Sequence, residues 1–229
     1  TQITKAELRE YLEFISALKP KSIKRKIAVI KAMFNYLEFE DKITANPVRK
    51  MRIKIKEPVN LPRHLNAGEM LEIFKYAYSQ TAQKQKSTYS YTASIRDIAV
   101  IELLFATGAR VSEIANLRDC DIDLNSGVIN LTGKGNKERI IQVCNIDSLG
   151  ILKLYRRLFM NRIEVSGGFF LVNRLNKKLS DQSIRTTVRI LSRKAMINKH
   201  VTPHFFRHTF ATLLLEKDVD IKYIQSLLG

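Results

Sequence analysis

Residues 202–229 read TPHFFRHTFATLLLEKDVDIKYIQSLLG, and this stretch decides how the rest of the chain is read. Thr202-Pro203 marks a helix start, because proline tolerates the first turn, where its missing N–H would be unpaired anyway. Asp220 opens a second helix in the same way, as a side-chain cap. His204 and Arg207 are three residues apart and share a helix face. They fall in the first turns, where unpaired N–H groups and the helix dipole favour an anion. A histidine there can pass a proton, and an arginine can fork onto two phosphate oxygens. An isolated H-x-x-R is short, however, and is more often a capped histidine beside a salt-bridged arginine. Its neighbours must carry the reading.

Upstream, residues 106–117 read ATGARVSEIANL. Ser94 caps an apolar helix from Ile95 to Thr107 that Gly108 ends, and a short helix carries Val111 to Leu117. Arg110 sits in the turn between these apolar segments, so its charge is partly buried and needs an anionic partner. That partner is Glu113, one helical turn on, or a ligand phosphate, and Glu113 can orient Arg110 while the guanidinium faces a ligand. Between the two regions, Val128–Thr132 and Arg139–Val143 alternate apolar and polar residues around GKGNKE at 133–138, which predicts a β-hairpin. Lys134 lies on its glycine-flanked turn, able to swing into a groove or simply exposed. The segment lacks the G-x-x-x-x-G-K-[ST] pattern, so no nucleotide is implied.

Toward the N-terminus, Thr4 and Glu7 make a capping box before Leu8, Tyr11, Leu12, Ile15 and Leu18 at helical spacing. Pro20 ends that helix. A second helix from about Ser22 buries Ile23, Ile27, Ile30, Phe34 and Leu37, and its other face carries Lys24, Arg25 and Lys31. Asn46-Pro47 closes this unit. Residues 49–62 read as a linker holding Arg49, Lys50, Arg52, Lys54 and Lys56. Asn66 and Glu69 form another capping box, with Met70, Leu71, Phe74 and Tyr78 inward. The polar stretch 80–93 reads as a loop, and helices are expected at about 147–162 and 181–196. The fold class is mainly α with a small antiparallel β-sheet (α+β).

Composition narrows the function classes. The 229 residues include 39 Lys+Arg against 22 Asp+Glu, a net charge of +17, with 45% hydrophobic residues. That is enough apolar content for a core and too much for a disordered tail. The surplus is spread, with 14 basic and 7 acidic residues in 1–62 and 25 and 15 in 63–229, so both parts can face one polyanion. No apolar run reaches the roughly 18 residues of a membrane span. Cys120 and Cys144 form neither a C-x-x-C pair nor a disulfide framework, which points to a reducing cytoplasm. His200, His204 and His208 are spaced by four, but Pro203 separates His200 from the helix and no H-E-x-x-H is present, so no metal is expected.

Taken in order, ATGARVSEIANL, GKGNKERIIQV and the H-x-x-R stretch with its following helices resemble the tyrosine recombinase (phage integrase) family. The whole chain is similar to that plan: a helical core-binding domain (1–48), a basic linker (49–62) and a catalytic domain (63–229). The resemblance implies that Arg110 and Arg207 clamp the scissile phosphate, that Lys134 protonates the leaving 5′ oxygen and that His204 assists proton transfer. Glu113 would support Arg110. It also implies DNA contacts from Lys24, Arg25, Lys31, Arg49, Lys50, Arg52, Lys54, Lys56, Lys137 and Arg139. No cofactor or metal is needed, and the partners would be double-stranded recombination sites, a homotetramer and an accessory directionality factor at the nucleoid.

In the family a nucleophilic tyrosine follows Leu-Leu-Gly. None of the eight tyrosines matches that position, and Tyr223, which precedes Leu227-Leu228-Gly229, reads as packing. The resemblance therefore implies that the nucleophile lies outside these residues, that the N-terminal unit is short by a helix or two, and that this chain binds DNA without cleaving it. A mobile-element integrase leads, on the strength of the 80–93 insertion and the basic linker. A Xer-like chromosome-dimer resolvase, a type IB topoisomerase and a non-catalytic DNA-binding protein on the same scaffold are the alternatives.

Overall fold

The capping boxes expected at Thr4 and Asn66 are both formed in the computed structural model. The structure describes residues 3–49, 51, 53–56, 64–133 and 135–229. Thr4 caps α1 (Lys5–Phe14) and exchanges hydrogen bonds with Glu7. The Asn66 carboxamide accepts from the Glu69 N–H at 2.8 Å while Glu69 accepts from the Asn66 N–H at 2.9 Å, opening α3 (Ala67–Ala82). The chain divides into two units, Thr1–Leu61 and Pro62–Gly229.

In the first unit α2 spans Pro20–Phe39. Pro20 is its first residue rather than the stop of α1, which has already ended at the Ile15 cap, as expected for a residue whose fixed φ suits a first turn. Leu8, Ile15, Ile27, Phe34 and Val48 are buried, while Ile23, Ile30 and Leu37 are half-buried. The Asn46 amide donates to Asn35 (2.9 Å) and Glu38 (3.0 Å), and its oxygen accepts from the Val48 N–H (3.1 Å), fixing the turn at Asn46-Pro47.

The second unit is organised around α4 (Tyr89–Thr107), whose residues Ile98–Leu104 are buried on every face. It packs against α3, α5 (Val111–Asn116), α6 (Ile146–Val165), α7 (Asp181–Lys194) and α8 (Pro203–Glu216). Its one buried carboxylate, Glu102, accepts from the Tyr78 hydroxyl at 2.7 Å and the Ser148 hydroxyl at 2.6 Å, which offsets the cost of burying it. The stretch 80–93 is not the loop its polarity predicts. α3 continues to Ala82, burying Ala77 and Thr81, and Thr88 rather than Ser94 caps α4, leaving only 83–88 between helices. Leu71, expected inward, is 52% exposed, and Ile73 takes the buried position instead.

The sheet is antiparallel in the order β1-β2-β3. β2 (Val128–Thr132) pairs with β3 (Glu138–Gln142) in the register Ile129↔Ile141 and Leu131↔Arg139, as the alternation predicts. β1 (Ile122–Asp123) adds a two-residue edge that periodicity could not reveal. The last helix, α9 (Ile221–Leu228), is capped by Asp220 and packs on α8 and β3. Thr209 of α8 accepts from the Leu65 N–H (3.1 Å) and donates to the Leu65 carbonyl (3.0 Å), tying α8 to the entry of the unit. Among the described residues, no helix is long and apolar enough to cross a membrane.

Candidate active site

Gly108 turns the chain from α4 into the site. It adopts φ +57 at the helix C-cap, the left-handed region where a side chain is disfavoured. A Cβ there would lie 2.5 Å from the Phe210 ring of α8, so the turn also needs the space. Thr107 locks it, donating to the Leu103 carbonyl (2.6 Å) and accepting from the Ala109 N–H (3.2 Å). Arg110 follows as the N-cap of α5.

Glu113, only 3% exposed at its side chain, is the hub. One oxygen accepts from Arg110 Nη1 (3.0 Å) and Arg139 Nη1 (3.2 Å), and the other from the Arg110 backbone N–H (2.8 Å) and Arg139 Nη2 (2.7 Å). Burial alone would raise its pKa, but the hydrogen bonds from Arg139 and Arg110 outweigh it and hold the carboxyl below the usual range. Arg110 thus has one edge held by Glu113, while its side chain stays 38% exposed.

α8 supplies the second cationic group. Pro203 is its first residue and Phe206 is fully buried, which leaves His204 exposed and Arg207 half-buried beside it. Arg207 Nη1 donates to the Gly108 carbonyl (3.0 Å) and Nη2 to the Leu228 carbonyl (2.8 Å). Arg110 Nη2 reaches the next carbonyl, Gly229 (2.7 Å). Two guanidiniums from distant segments therefore converge on neighbouring oxygens, those of Leu228 and Gly229. Burial, with the neighbouring Arg110 charge, pushes the Arg207 pKa down to about 10, so it remains a cation at neutral pH. Partial burial, then the charges of His208, Arg185, Arg207 and Arg110, lower the His204 pKa. In its neutral form the imidazole can donate one hydrogen bond and take up a proton.

The other candidates are distributed differently. Lys134, Lys50 and Arg52 lie outside the described residues. Lys24, Arg25 and Lys31 lie on the exposed face of α2, and Lys54, Lys56 and Lys137 are also exposed. The Lys137 carbonyl accepts from the Gly133 N–H (2.7 Å), closing the hairpin turn. Arg49 pairs with Glu38 at 3.1 Å. Arg139 departs from its expected place at a DNA-facing surface: its side chain is 9% exposed, pairs with Glu113 and donates Nε to the Leu227 carbonyl at 2.7 Å. The strand pattern carried this signal, since Arg139 is two residues from the buried Ile141 and so shares its face. Among the described residues no cluster of His, Cys, Asp or Glu could hold a metal ion.

Residues 66–229 match the phage integrase family. A tyrosine recombinase of Agathobacter rectalis is 44% identical over the whole chain, which covers 74% of that protein. The tyrosine recombinase XerC of Staphylococcus carnosus is 31% identical, the match covering 97% of this chain and 72% of that one. The XerH site-specific recombinase bound to its difH substrate in a pre-cleavage complex aligns over the full chain and 64% of its own, with a TM-score of 0.75 and 25% identity. The chain belongs to the phage integrase family of tyrosine recombinases.

Proposed function

We propose that this chain is the DNA-binding and phosphate-activating part of a site-specific recombinase that breaks and rejoins DNA through a 3′-phosphotyrosine. The observation that carries the reading is the convergence of Arg110 and Arg207 on neighbouring oxygens, with His204 three residues before Arg207 on the same helix. Both guanidiniums present N–H donors to the same region, where a phosphate oxygen can replace the acceptor each now has and form a stronger, charge-assisted bond. When a tyrosine oxygen attacks the phosphorus, negative charge builds on the non-bridging oxygens, and two fixed cations stabilise it most in the transition state. The P–O5′ bond breaks and the 5′ oxygen takes a proton, the part assigned to Lys134. His204 hydrogen-bonds a phosphate oxygen and moves the proton that accompanies the tyrosine step. In the reverse direction a 5′ hydroxyl of the partner strand attacks, and the tyrosine leaves with its proton. No cofactor enters the balance.

In this reading residues 1–48 grip the duplex as a core-binding unit, 49–62 form a basic strap and 63–229 carry the chemistry. Exchange runs through a Holliday junction on a homotetramer, with a directionality factor as accessory. No tyrosine of residues 1–229 is assigned the role of nucleophile in this reading. A mobile-element integrase is the deployment favoured by the basic linker, although residues 80–93, being largely helical, no longer support it. The match to XerC over 97% of the chain favours a chromosome-dimer resolvase as the second reading. The test is a nicked suicide duplex, which traps the covalent intermediate. Residues 1–229 should bind it with a steep salt dependence and form no adduct, while the full-length protein forms one. An adduct with residues 1–229, or none with the full-length protein, would overturn the reading.

A further inference from the structure

Arg139 is a largely buried cation of this site. It is 9% exposed and forks onto both oxygens of Glu113, while its Nε caps the Leu227 carbonyl. Three successive carbonyls at the end of α9, those of Leu227, Leu228 and Gly229, are thereby held by three arginines from three elements: Arg139, Arg207 and Arg110. The three are not equivalent. Arg110 and Arg207 are partly exposed and can exchange their carbonyls for phosphate oxygens. Arg139 has no such exchange available, because its fork is committed to a buried carboxylate. The hairpin turn meets the same carboxylate: a Cβ on Gly133 would lie 3.1 Å from Glu113 Oε1 and 3.7 Å from Arg139 Nη1.

We propose that Arg139 is a positioning residue that pins the end of α9 to the Glu113–Arg110 pair, so that α9 keeps its place when Arg110 and Arg207 turn to the phosphate. The proposal rests on the recombinase reading for its consequence in cleavage, but not for the pin itself. Arg139 acts through Glu113 and the Leu227 carbonyl and touches no substrate. A displacement of about 1 Å between reacting groups is enough to cost on the order of a hundredfold in rate, and a pin of two elements is placed to prevent it.

The experiment compares Arg139→Met, which keeps the apolar stem and loses every donor, with Arg139→Lys, which keeps charge and loses the fork. Ile140→Thr, at an outward-facing neighbour 65% exposed, is the control. Each is made in the full-length protein and read three ways: duplex affinity, adduct rate on the nicked duplex, and hydrogen exchange in residues 110–116 and 221–229. Arg139→Met should keep affinity within about twofold, lose adduct rate by roughly a hundredfold, and exchange faster in both segments together. Arg139→Lys should recover part of the exchange protection and little of the rate, since a point charge cannot replace the fork. If Arg139→Met fails to fold, the lysine variant alone decides, by showing the same split. Equal loss of affinity and rate would make Arg139 a DNA contact and overturn the proposal, as would faster exchange with an unchanged rate. If the unaltered protein forms no adduct, the recombinase reading fails, and the pin stands or falls on whether the two segments loosen together.

Discussion

Replacing Gly108 by alanine puts the turn behind Arg110 to a quantitative test. Two separable costs follow from the geometry. The residue sits at φ +57, where a non-glycine residue costs about 1–2 kcal/mol. Its new Cβ would stand 2.5 Å from Phe210 Cδ1 and 2.9 Å from Cγ, and forcing an extra methyl into packed space costs about 1–3 kcal/mol. The sum is about 3.5 kcal/mol in mid-range, and for a unit of this size each kcal/mol moves the melting temperature by about 2–4 °C. A drop of roughly 7–14 °C is expected by thermal melting. A double-mutant cycle with Phe210→Ala separates the two costs. Removing the ring relieves the clash but not the backbone strain, so Gly108→Ala should cost only about 1–2 kcal/mol in the Phe210→Ala background. Because the Gly108 carbonyl accepts from Arg207, the single variant should also slow adduct formation. A melting change under about 2 °C, or costs that simply add in the cycle, would refute the assignment of Gly108 to both a strained and a crowded position.

Two further outcomes follow from the charges. Glu113→Gln places an amide where two donors now meet a carboxylate oxygen and leaves Arg139 buried without its counter-charge, so it should destabilise by about 3 kcal/mol. Because the Glu113 pKa is depressed in the folded state, its stabilisation is present above the unfolded value and lost as pH falls through the folded one. The gap between Glu113→Gln and the unaltered protein in melting temperature should therefore close in acid, and a gap independent of pH would contradict the hub. His204 titrates below its ordinary 6.5 because it is partly buried and faces His208, Arg185, Arg207 and Arg110. A duplex phosphate among those cations should raise its pKa, measurable by NMR titration with and without DNA. A value unchanged or lower in the complex would place the phosphate elsewhere.

The sequence was most legible where a local rule acts through few residues. Thr4 with Glu7, Asn66 with Glu69, Gly108 and Pro203 each mark a helix boundary that the backbone respects. The hairpin was legible because Ile129, Leu131 and Ile141 alternate with outward residues. What escaped was what tertiary packing decides. Ser79 and Thr81 have weak helix preferences of their own, and it is burial of Ala77 and Thr81 against the unit that keeps α3 helical there. The family resemblance placed Arg139 among the DNA contacts. Its strand position beside Ile141 pointed inward, but only the fold shows that a carboxylate and a helix end wait there. The backbone carbonyls of Leu227, Leu228 and Gly229 carry no side-chain signal at all, so their part in gathering three arginines could be seen only in three dimensions.

The central claim is that Arg110 stabilises charge that develops on a phosphate during strand cleavage rather than merely holding the duplex. It is tested most directly by Arg110→Ala in the full-length protein, with duplex affinity and suicide-substrate adduct formation measured on the same preparation. The account predicts affinity within a few-fold of the unaltered protein, because one of many phosphate contacts is lost, and adduct formation reduced by at least about a hundredfold. Affinity and adduct formation falling by the same factor would contradict it.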